Sequence, residues 1–326
     1  MGELRFGVHD IVNIRFAISP LWETVASLRA VADPGRHVVH LPWIRRALAL
    51  RQDRGLTVRT APLSALLLPL HDDGPAFLTP SPRCPLAEIE EELAILLATP
   101  AEEVRAGLGA ACPVQPRSPF GRRIAEDPER ALPELADAVH AWWLAAVKPH
   151  WPRIRAVLEA DIAHRTRQLA EDGIQQVLGG LHPSLHWAGD RLVSPDLPAA
   201  GLDLGGAGIT LTPSAFAGRF HLLPGHRSCP PGAVYPSRAL GVLWERRESA
   251  GDGLARLLGR SRAQLLACTS SPTTTTQLAA RTGLSLGAVS QHLAVLRDAG
   301  LVTSHRYRRE VNYTVSDLGT ALLQQT

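Results

Sequence analysis

The chain has 326 residues and a net charge of +3, with 45% hydrophobic and 20% charged residues. This length and balance predict two packed domains and exclude a chain that is disordered throughout. It contains no run of about 18 consecutive apolar residues, the length that a membrane helix needs. The first ten residues lack the basic-then-apolar pattern of a signal peptide. We therefore expect a cytoplasmic protein that does not enter a membrane.

The positive charge is concentrated near the C-terminus. Residues 260–326 contain seven arginines and three acidic residues, a net charge of +4, so the preceding 259 residues carry −1. A basic C-terminal segment favours a nucleic-acid partner. The four cysteines are scattered and form no CxxC pair, which is typical of a reduced compartment.

Helical patterns dominate the sequence as far as Gly179. Proline residues mark several helix starts, and Pro149 and Pro152 separate two long helices because proline interrupts the backbone hydrogen-bond ladder. Helices are predicted over 20–31, 42–50, about 128–148 and about 152–171. Two more are predicted to begin at Pro85, with acidic residues in the opening turns, and after a Thr99 cap with Glu102 three residues on.

Short apolar runs with many glycines and prolines follow Gly179 and predict a β-rich section over about 180–236. The runs are 184–187, 191–194, 209–212, 220–223 and 233–235, and Gly189-Asp190 predicts a hairpin turn between the first two. A helix is predicted over 237–248 and a linker over 249–253. The expected fold is mainly α with a small β section, in two domains: 1–250, for dimerisation or effector sensing, and 251–326.

Capping signals in the second domain predict a helix-turn-helix. Two helices are expected before Ser271, and Thr274 with Gln277 then forms a capping box that starts a short helix. Gly283 supplies a tight turn, and Ser285 caps a helix over 286–298. Val289, Leu293 and Leu296 form its buried stripe.

The other face of the helix over 286–298 carries small and hydrogen-bonding residues: Gly287, Ser290, Gln291, Ala294 and Arg297. A helix with such a face fits the major groove and can approach base edges. Gly300 ends the helix, and two strands are predicted over 301–304 and 310–315. Between them, the run 305–309 is a basic hairpin tip whose arginines can bind phosphates or enter a minor groove. A last helix is expected from Ser316-Asp317 to Leu323.

The run TTTTQLAARTGLSLGAVSQHLAVLRDAGLVTSHRYRREVNYTVSDLG resembles the winged helix-turn-helix domain of the ArsR family of transcriptional regulators. The matching signature is LAxxxGLSxxxVSxHLxxLRxAGLV, followed by strand, wing and strand. The segments FAISPLWETVASLRA, RHVVHLPWIRRAL and VYPSRALGVLWE are similar to a long actinobacterial-type subgroup whose large N-terminal domain has no assigned function.

The ArsR resemblance implies a sequence-specific DNA-binding regulator, which we expect to be a homodimeric repressor, and it implies roles for the matched residues. Ser290 and Gln291 would face the bases. His292 matches the histidine of the family's helix, but it lies next to the buried Leu293, which favours local packing over a contact with a base. The implied backbone contacts are Thr275, Thr276, Ser285 and Arg297 for phosphates, and Arg306, Arg308 and Arg309 for the wing.

The chain departs from the metal-sensing members of this family. The paired cysteines of their first recognition-motif helix are replaced by Gln277-Leu278-Ala279-Ala280, and the last helix lacks a DxH or HxxE ligand set. Cys268 stands alone, as a buried structural cysteine would. We therefore expect no metal, cofactor or catalytic residue in the DNA-binding domain, and any switch must lie in the first 250 residues.

Other readings of the first domain stay open. A zinc site could be formed by His182, His186, His221, His226 and Cys229, although the spacing is loose. An aromatic pocket for a small-molecule effector could be lined by Trp142, Trp143, Trp151, His140 and His150. His37 and His40 beside Trp43 could line such a pocket in the same way. The sequence carries no GxSxG, GxxxxGK[ST] or HExxH motif. The alternative to a repressor is an effector-binding protein or enzyme whose winged helix contacts protein.

Overall fold

The computed structural model describes residues 1–67, 74–111, 118–223, 225, 231–244, 250–270, 272–307 and 310–324. The chain forms two compact units, Met1–Trp244 and Glu245–Thr326. The predicted fold class is confirmed: the first unit is mainly helical with small sheets, and the second is a winged helix-turn-helix. Within the described residues, no helix is both long and apolar enough to cross a membrane.

The helices of the first unit surround a large apolar core that includes Trp43 and Trp142. They are α1 Val8–Val12, α2 Pro20–Ala32, α3 Leu41–Leu50, α4 Arg54–Leu67, α5 Ile89–Leu97, α6 Ala101–Ala111, α7 Pro119–Glu126, α8 Pro128–Trp142, α9 Trp151–Asp172 and α10 Ile174–Gly179. Short 3-10 turns lie at Pro34–Arg36, Val38–His40, Ala76–Leu78, Lys148–His150 and Leu240–Val242.

Two small sheets with a second apolar core complete the first unit. Their strands are β1 Gly2–Arg5, β2 Ile14–Phe16, β3 His186–Ala188, β4 Arg191–Ser194, β5 Leu202–Asp203, β6 Ile209–Ser214, β7 His221–Leu223 and β8 Gly232–Pro236. The first sheet has the order β3-β4-β1-β5, and the second has the order β2-β6-β8-β7. In the second sheet β2, β6 and β8 are parallel, so their carboxyl ends lie at one edge.

The second unit has its own core, which includes Leu278, Leu293 and Leu296. Its elements are α11 Ala250–Leu258, α12 Arg260–Cys268, β9 Thr273–Thr274, α13 Thr275–Thr282, α14 Leu286–Asp298, β10 Val302–Tyr307, β11 Glu310–Val315 and α15 Asp317–Gln324. The three strands form a sheet in the order β10-β11-β9.

The structure adds two short strands before residue 180, in a part of the chain where helical patterns dominate. β1 pairs with β4 in the register Gly2↔Ser194, and β2 pairs with β6 in the register Ile14↔Ile209. Both N-terminal strands are very short, so their own residues show no clear alternation. Their partners lie almost two hundred residues later, and it is this long-range pairing that makes them strands.

Two predicted helix starts are also wrong. α5 begins at Ile89 instead of Pro85, because Glu88 is its N-cap and donates its backbone N–H to the Glu91 side chain at 3.3 Å. α6 begins at Ala101, but its predicted cap Thr99 donates its hydroxyl to the Ile95 carbonyl at 3.3 Å. Thr99 thus forms a hydrogen bond at the C-terminal end of α5 instead of capping α6.

The long helix predicted over 128–148 changes its hydrogen-bond pattern before its end. α8 stops at Trp142, and a π-helical turn over Trp143–Val147 and a 3-10 turn over Lys148–His150 lead into α9. Pro149 and Pro152 have no backbone N–H to donate, so a regular α-helical ladder cannot continue through them.

The predicted helix over 237–248 and the predicted linker over 249–253 are not found in the described residues. Ser237 donates its N–H to the Ser214 carbonyl at 2.8 Å, and Ala239 has a φ of +58°, so this stretch is not helical apart from the turn Leu240–Val242. In the linker, Ala250 to Gly253 belong to α11, and Ser249 lies outside the described residues.

Candidate nucleic-acid interface

The first helix of the helix-turn-helix, α13, begins with the predicted capping box. The Thr274 hydroxyl accepts from the Gln277 N–H at 3.3 Å, and the Gln277 side chain accepts from the Thr274 N–H at 3.0 Å. These two bonds satisfy backbone donors that a helix start leaves without partners. The helix ends at Gly283, whose φ of +73° is the left-handed conformation that glycine adopts without strain.

The second helix, α14, is fixed on one face by the core and presents the other face to solvent. Ser285 caps it by accepting from the Ala288 N–H at 3.3 Å. Val289, Leu293 and Leu296 are buried as predicted, with at most 1% exposure. Since the buried stripe fixes the rotation of the helix, the opposite stripe must face outward.

The structure places the predicted contact residues of this motif on its accessible surface. Ser285, Gly287, Ser290, Gln291 and Arg297 are exposed on α14 or at its cap. In the first turn of α13, Thr276 is exposed and Thr275 is half-buried. Apart from the half-buried Thr275, these residues are therefore accessible to solvent.

Two details of α14 bear on the predicted contacts. The Arg297 Nη2 lies 3.6 Å from the Asp298 carboxylate, but both side chains are at least half exposed, so this pair contributes little and leaves the guanidinium accessible. His292 is half-buried beside the core residue Leu293. This position favours the local packing role over a contact with a base.

The wing is a longer hairpin than the sequence predicted. β10 extends to Tyr307 instead of Ser304, so His305 and Arg306 pair with Asn312 and Val311 of β11 rather than forming the tip. The extension adds three residue pairs to the antiparallel ladder, the last of them Tyr307↔Glu310. Arg308 and Arg309, the remaining predicted wing arginines, lie outside the described residues.

The remaining strand anchors the wing to the motif. β9 pairs with β11 in the register Asn312↔Thr274 and Tyr313↔Thr273, directly before α13. Ser316 then caps α15, accepting from the Gly319 N–H at 3.1 Å and donating to the Gly300 carbonyl at 2.6 Å. The three strands and the two helices thus form one framework that holds the outer face of α14.

Residues 264–304 match the family model for the bacterial regulatory protein, arsR family. The C-terminal region therefore carries an ArsR-family helix-turn-helix domain, the type of domain with which transcription regulators bind DNA. The match begins in α12 and ends in β10, so it does not extend to the first unit. No curated protein sequence matches the chain.

Outside the ArsR match, the first unit buries two glutamates that the sequence patterns did not single out. Both oxygens of Glu23 lie 3.1 Å from the Ala215 N–H, and burial raises its pKa to about 8. Glu92 accepts from the Ser19 hydroxyl at 2.6 Å and from the Leu21 N–H at 2.7 Å, and burial also raises its pKa to about 8. Nothing in the local pattern distinguishes either glutamate from a solvated one.

An aromatic cluster encloses His40, which is buried at 3% exposure. The His40 Nε2 donates to the Ala215 carbonyl at 2.9 Å, and its Nδ1 accepts from the Trp244 indole at 2.7 Å. The rings of Trp43 and Phe216 lie 4.8 Å apart, and Trp43 also stacks on Trp244. Burial lowers the pKa of His40 to about 4, so the imidazole is neutral at physiological pH.

The aromatic residues named from the sequence do not converge on one pocket. Trp142 is fully buried and donates its indole N–H to Ser27 at 3.0 Å, and Trp143 packs edge-on against Trp151. His140 lies 4.0 Å from Glu90, whereas His150 contacts the Trp244 ring edge-on. The cluster that does form therefore centres on Trp244 and His40.

The histidines of the β-rich section have separate partners. His182 bonds to the Ser184 hydroxyl at 2.7 Å, and His221 packs at 5.3 Å on Trp22. His186 is exposed on β3, and His226 and Cys229 lie outside the described residues. In the part of the chain that the structure describes, no three histidine, cysteine or acidic side chains are grouped to hold a metal ion.

Proposed function

We propose that this chain is a homodimeric transcriptional repressor whose second unit reads duplex DNA and whose first unit responds to a small-molecule effector. The observation that carries the proposal is the capped helix α14, whose outer face offers Gly287, Ser290 and Gln291 to solvent. Small polar residues near the start of such a helix can approach base edges in the major groove. The ArsR-family match supports regulation rather than catalysis as the activity of the chain.

The remaining predicted contacts fit the DNA backbone. Thr275 and Thr276 open α13, where the N–H groups of a first helical turn and the threonine hydroxyls favour a phosphate. Arg297 and the wing arginines Arg306, Arg308 and Arg309 add positive charge to the same domain. In this arrangement α14 gives the sequence preference, and the surrounding residues give affinity and orientation.

A second copy would complete the interface with DNA. Leu257 on α11 and Leu318 on α15 are 72% and 60% exposed, and association of two copies would remove such side chains from water. Two-fold symmetry would place two recognition helices about 34 Å apart, one duplex turn, and would select an inverted repeat. Light scattering gives the oligomeric state, and repression requires that deleting the gene raises transcription from the promoter that the protein binds.

Gln291→Ala is expected to weaken binding to the specific duplex roughly tenfold to hundredfold, since a lost bidentate base contact is worth about 1–3 kcal/mol. Binding is measured by fluorescence anisotropy on duplexes from the region upstream of the chain's own gene. Gln264→Ala, the same change at an exposed position of α12, is the matched control and should bind like the wild type. Equal binding by all three proteins would contradict the reading face proposed for α14.

Arg308→Ala is expected to weaken binding to specific and unrelated duplexes alike. A phosphate contact releases counterions, so the slope of log K against log salt should become smaller by about 0.9. The measurement is a salt titration with both duplexes. A change confined to the specific duplex would assign Arg308 to base reading, and an unchanged slope would remove it from the interface.

A further inference from the structure

The buried stripe of α9 changes from apolar to charged along the helix. Ile154 and Leu158 are fully buried, and at the same helical spacing Asp161 and Arg165 are also buried, at 3% and 4% exposure. Charged residues are rarely buried so completely, because a charge that leaves water needs strong partners. Asp161 has hydrogen-bond partners for both of its oxygens, whereas Arg165 does not have partners for all of its N–H groups.

Asp161 is well satisfied by the end of strand β8. One oxygen of its carboxylate accepts from the Tyr235 hydroxyl at 2.9 Å, and the other accepts from the Arg238 N–H at 3.0 Å. These bonds tie α9 to the segment 237–244, which is the last part of the first unit that the structure describes.

The Arg165 guanidinium has only some of its N–H donors satisfied. Its Nη1 donates to Gln168 at 3.2 Å, but its Nε lies 3.8 Å from the Asp161 carboxylate, too far for a hydrogen bond. Among the described residues, this buried Nε has no hydrogen-bond partner. A Cβ at Gly180 would come within 3.3 Å of the guanidinium, so the glycine leaves room beside Nη1.

A second buried donor without a partner lies close by in the chain. Ser237 is 6% exposed, and its hydroxyl has no partner among the described residues. Ser237 directly precedes Arg238, whose backbone contacts Asp161, and it follows Tyr235 by two residues, so it continues the same face of an extended strand. Arg165 thus pairs with Asp161, and Ser237 is next to Arg238, which also pairs with it; we call Asp161, Arg165, Ser237 and Arg238 the polar cluster.

The cluster has an excess of positive charge and an exposed side. Arg238 is exposed, and its guanidinium donates to the ring of His164, which is half-buried. The cluster thus has two guanidiniums and one carboxylate, and only the Arg165 guanidinium is paired with that carboxylate, at 3.8 Å. Donors without acceptors, positive charge and the planar guanidinium of arginine together favour binding of a carboxylate or a phosphate group.

We propose that a small oxyanion, the carboxylate or phosphate group of an effector, binds between α9 and the segment 237–239, with Arg165 and Ser237 as its buried donors and Arg238 at its entrance. Its regulatory meaning rests on the proposed function. An anion that draws Arg238 away from Asp161 and His164 changes how α9 holds the segment 237–244. That segment leads along the chain to the DNA-binding unit.

The test uses the full-length protein with inorganic phosphate and, separately, with succinate, each against chloride at equal ionic strength. We expect one of the two anions to raise the melting temperature saturably. The half-saturating concentration should rise at least tenfold in Arg165→Lys, which keeps the charge but loses the fork, and in Arg238→Ala. Arg167→Ala, on the exposed face of the same helix, is the matched control and should respond like the wild type.

Two results would overturn this site. The first is no saturable response to either anion, as expected if the two donors bind only ordered water. The second is a response that Arg165→Lys and Arg238→Ala leave unchanged, which would place the anion elsewhere. Since melting is followed without DNA, a failure of DNA binding does not alter the outcome, and adding the anion to the anisotropy assay tests the link to regulation separately.

Discussion

Between about pH 7 and 8, the free energy of unfolding of the first unit is expected to fall as the pH rises, and Glu23→Gln should remove about half of that slope. Glu23 and Glu92 have pKa values raised by burial from 4.5 to about 8. In this window each glutamate holds its proton in the folded state and loses it on unfolding. Ionisation therefore favours the unfolded state, by about 1.4 kcal/mol per pH unit for each group.

In this pH range, the effect of the glutamates on stability can be distinguished from that of the histidines. Burial lowers the pKa of His37, His40 and His150 below the usual 6.5. Each of these histidines therefore lowers the free energy of unfolding as the pH falls below 6.5. At pH 6.5 these histidines are half protonated in the unfolded state, which gives an opposing slope, and this slope becomes small as the pH passes 7. The decline between about pH 7 and 8 therefore belongs mainly to Glu23 and Glu92.

Tryptophan fluorescence during urea unfolding measures this prediction in the intact chain. All seven tryptophans lie in the first unit, so the signal does not report on the DNA-binding unit. The double variant Glu23→Gln with Glu92→Gln should show a flat profile, and Glu171→Gln, an exposed glutamate at the end of α9, should keep the wild-type slope. A wild-type profile that is already flat would show that these carboxyl groups are ionised in the folded state.

The DNA-binding unit could be predicted almost completely because its signals are local. Thr274 with Gln277, Gly283 and Ser285 each fix a helix boundary through neighbours within three residues along the chain. The spacing of Val289, Leu293 and Leu296 then determines which face of α14 is outside. The length of the wing was underestimated, because strand pairing depends on residues from both strands at once.

The first unit was predicted less well because its decisive contacts span the chain. Glu23 lies in α2, which is covered by Ala215, directly after strand β6, and by helix α8, through the bond from Trp142 to Ser27. The same holds for Asp161, whose partners lie in β8 and just after it, more than seventy residues later. No local pattern distinguishes such buried polar residues from surface ones.

Leu293→Ala is expected to destabilise the DNA-binding unit by about 2–5 kcal/mol, because it leaves a cavity in a fully buried position. Hydrogen exchange followed by mass spectrometry should show faster exchange in α13 and α14. The tryptophan-monitored unfolding of the first unit should stay unchanged, since that unit has separate cores. Val295→Ala, on the same helix at 47% exposure, is the matched control and should change stability by less than about 0.5 kcal/mol.

Comparison of Leu293→Ala with Gln291→Ala distinguishes a loss of stability of α14 from the loss of a direct contact with DNA. Both variants should lose DNA affinity, but only Leu293→Ala should also speed exchange in α14. Lower temperature should restore part of the binding of Leu293→Ala, because a larger fraction of the unit is then folded, whereas Gln291→Ala lacks its contact at every temperature. If Leu293→Ala bound DNA at full affinity despite rapid exchange in α14, the folded helix would not be the reading element, and the assignment of Ser290 and Gln291 to the bases would be wrong.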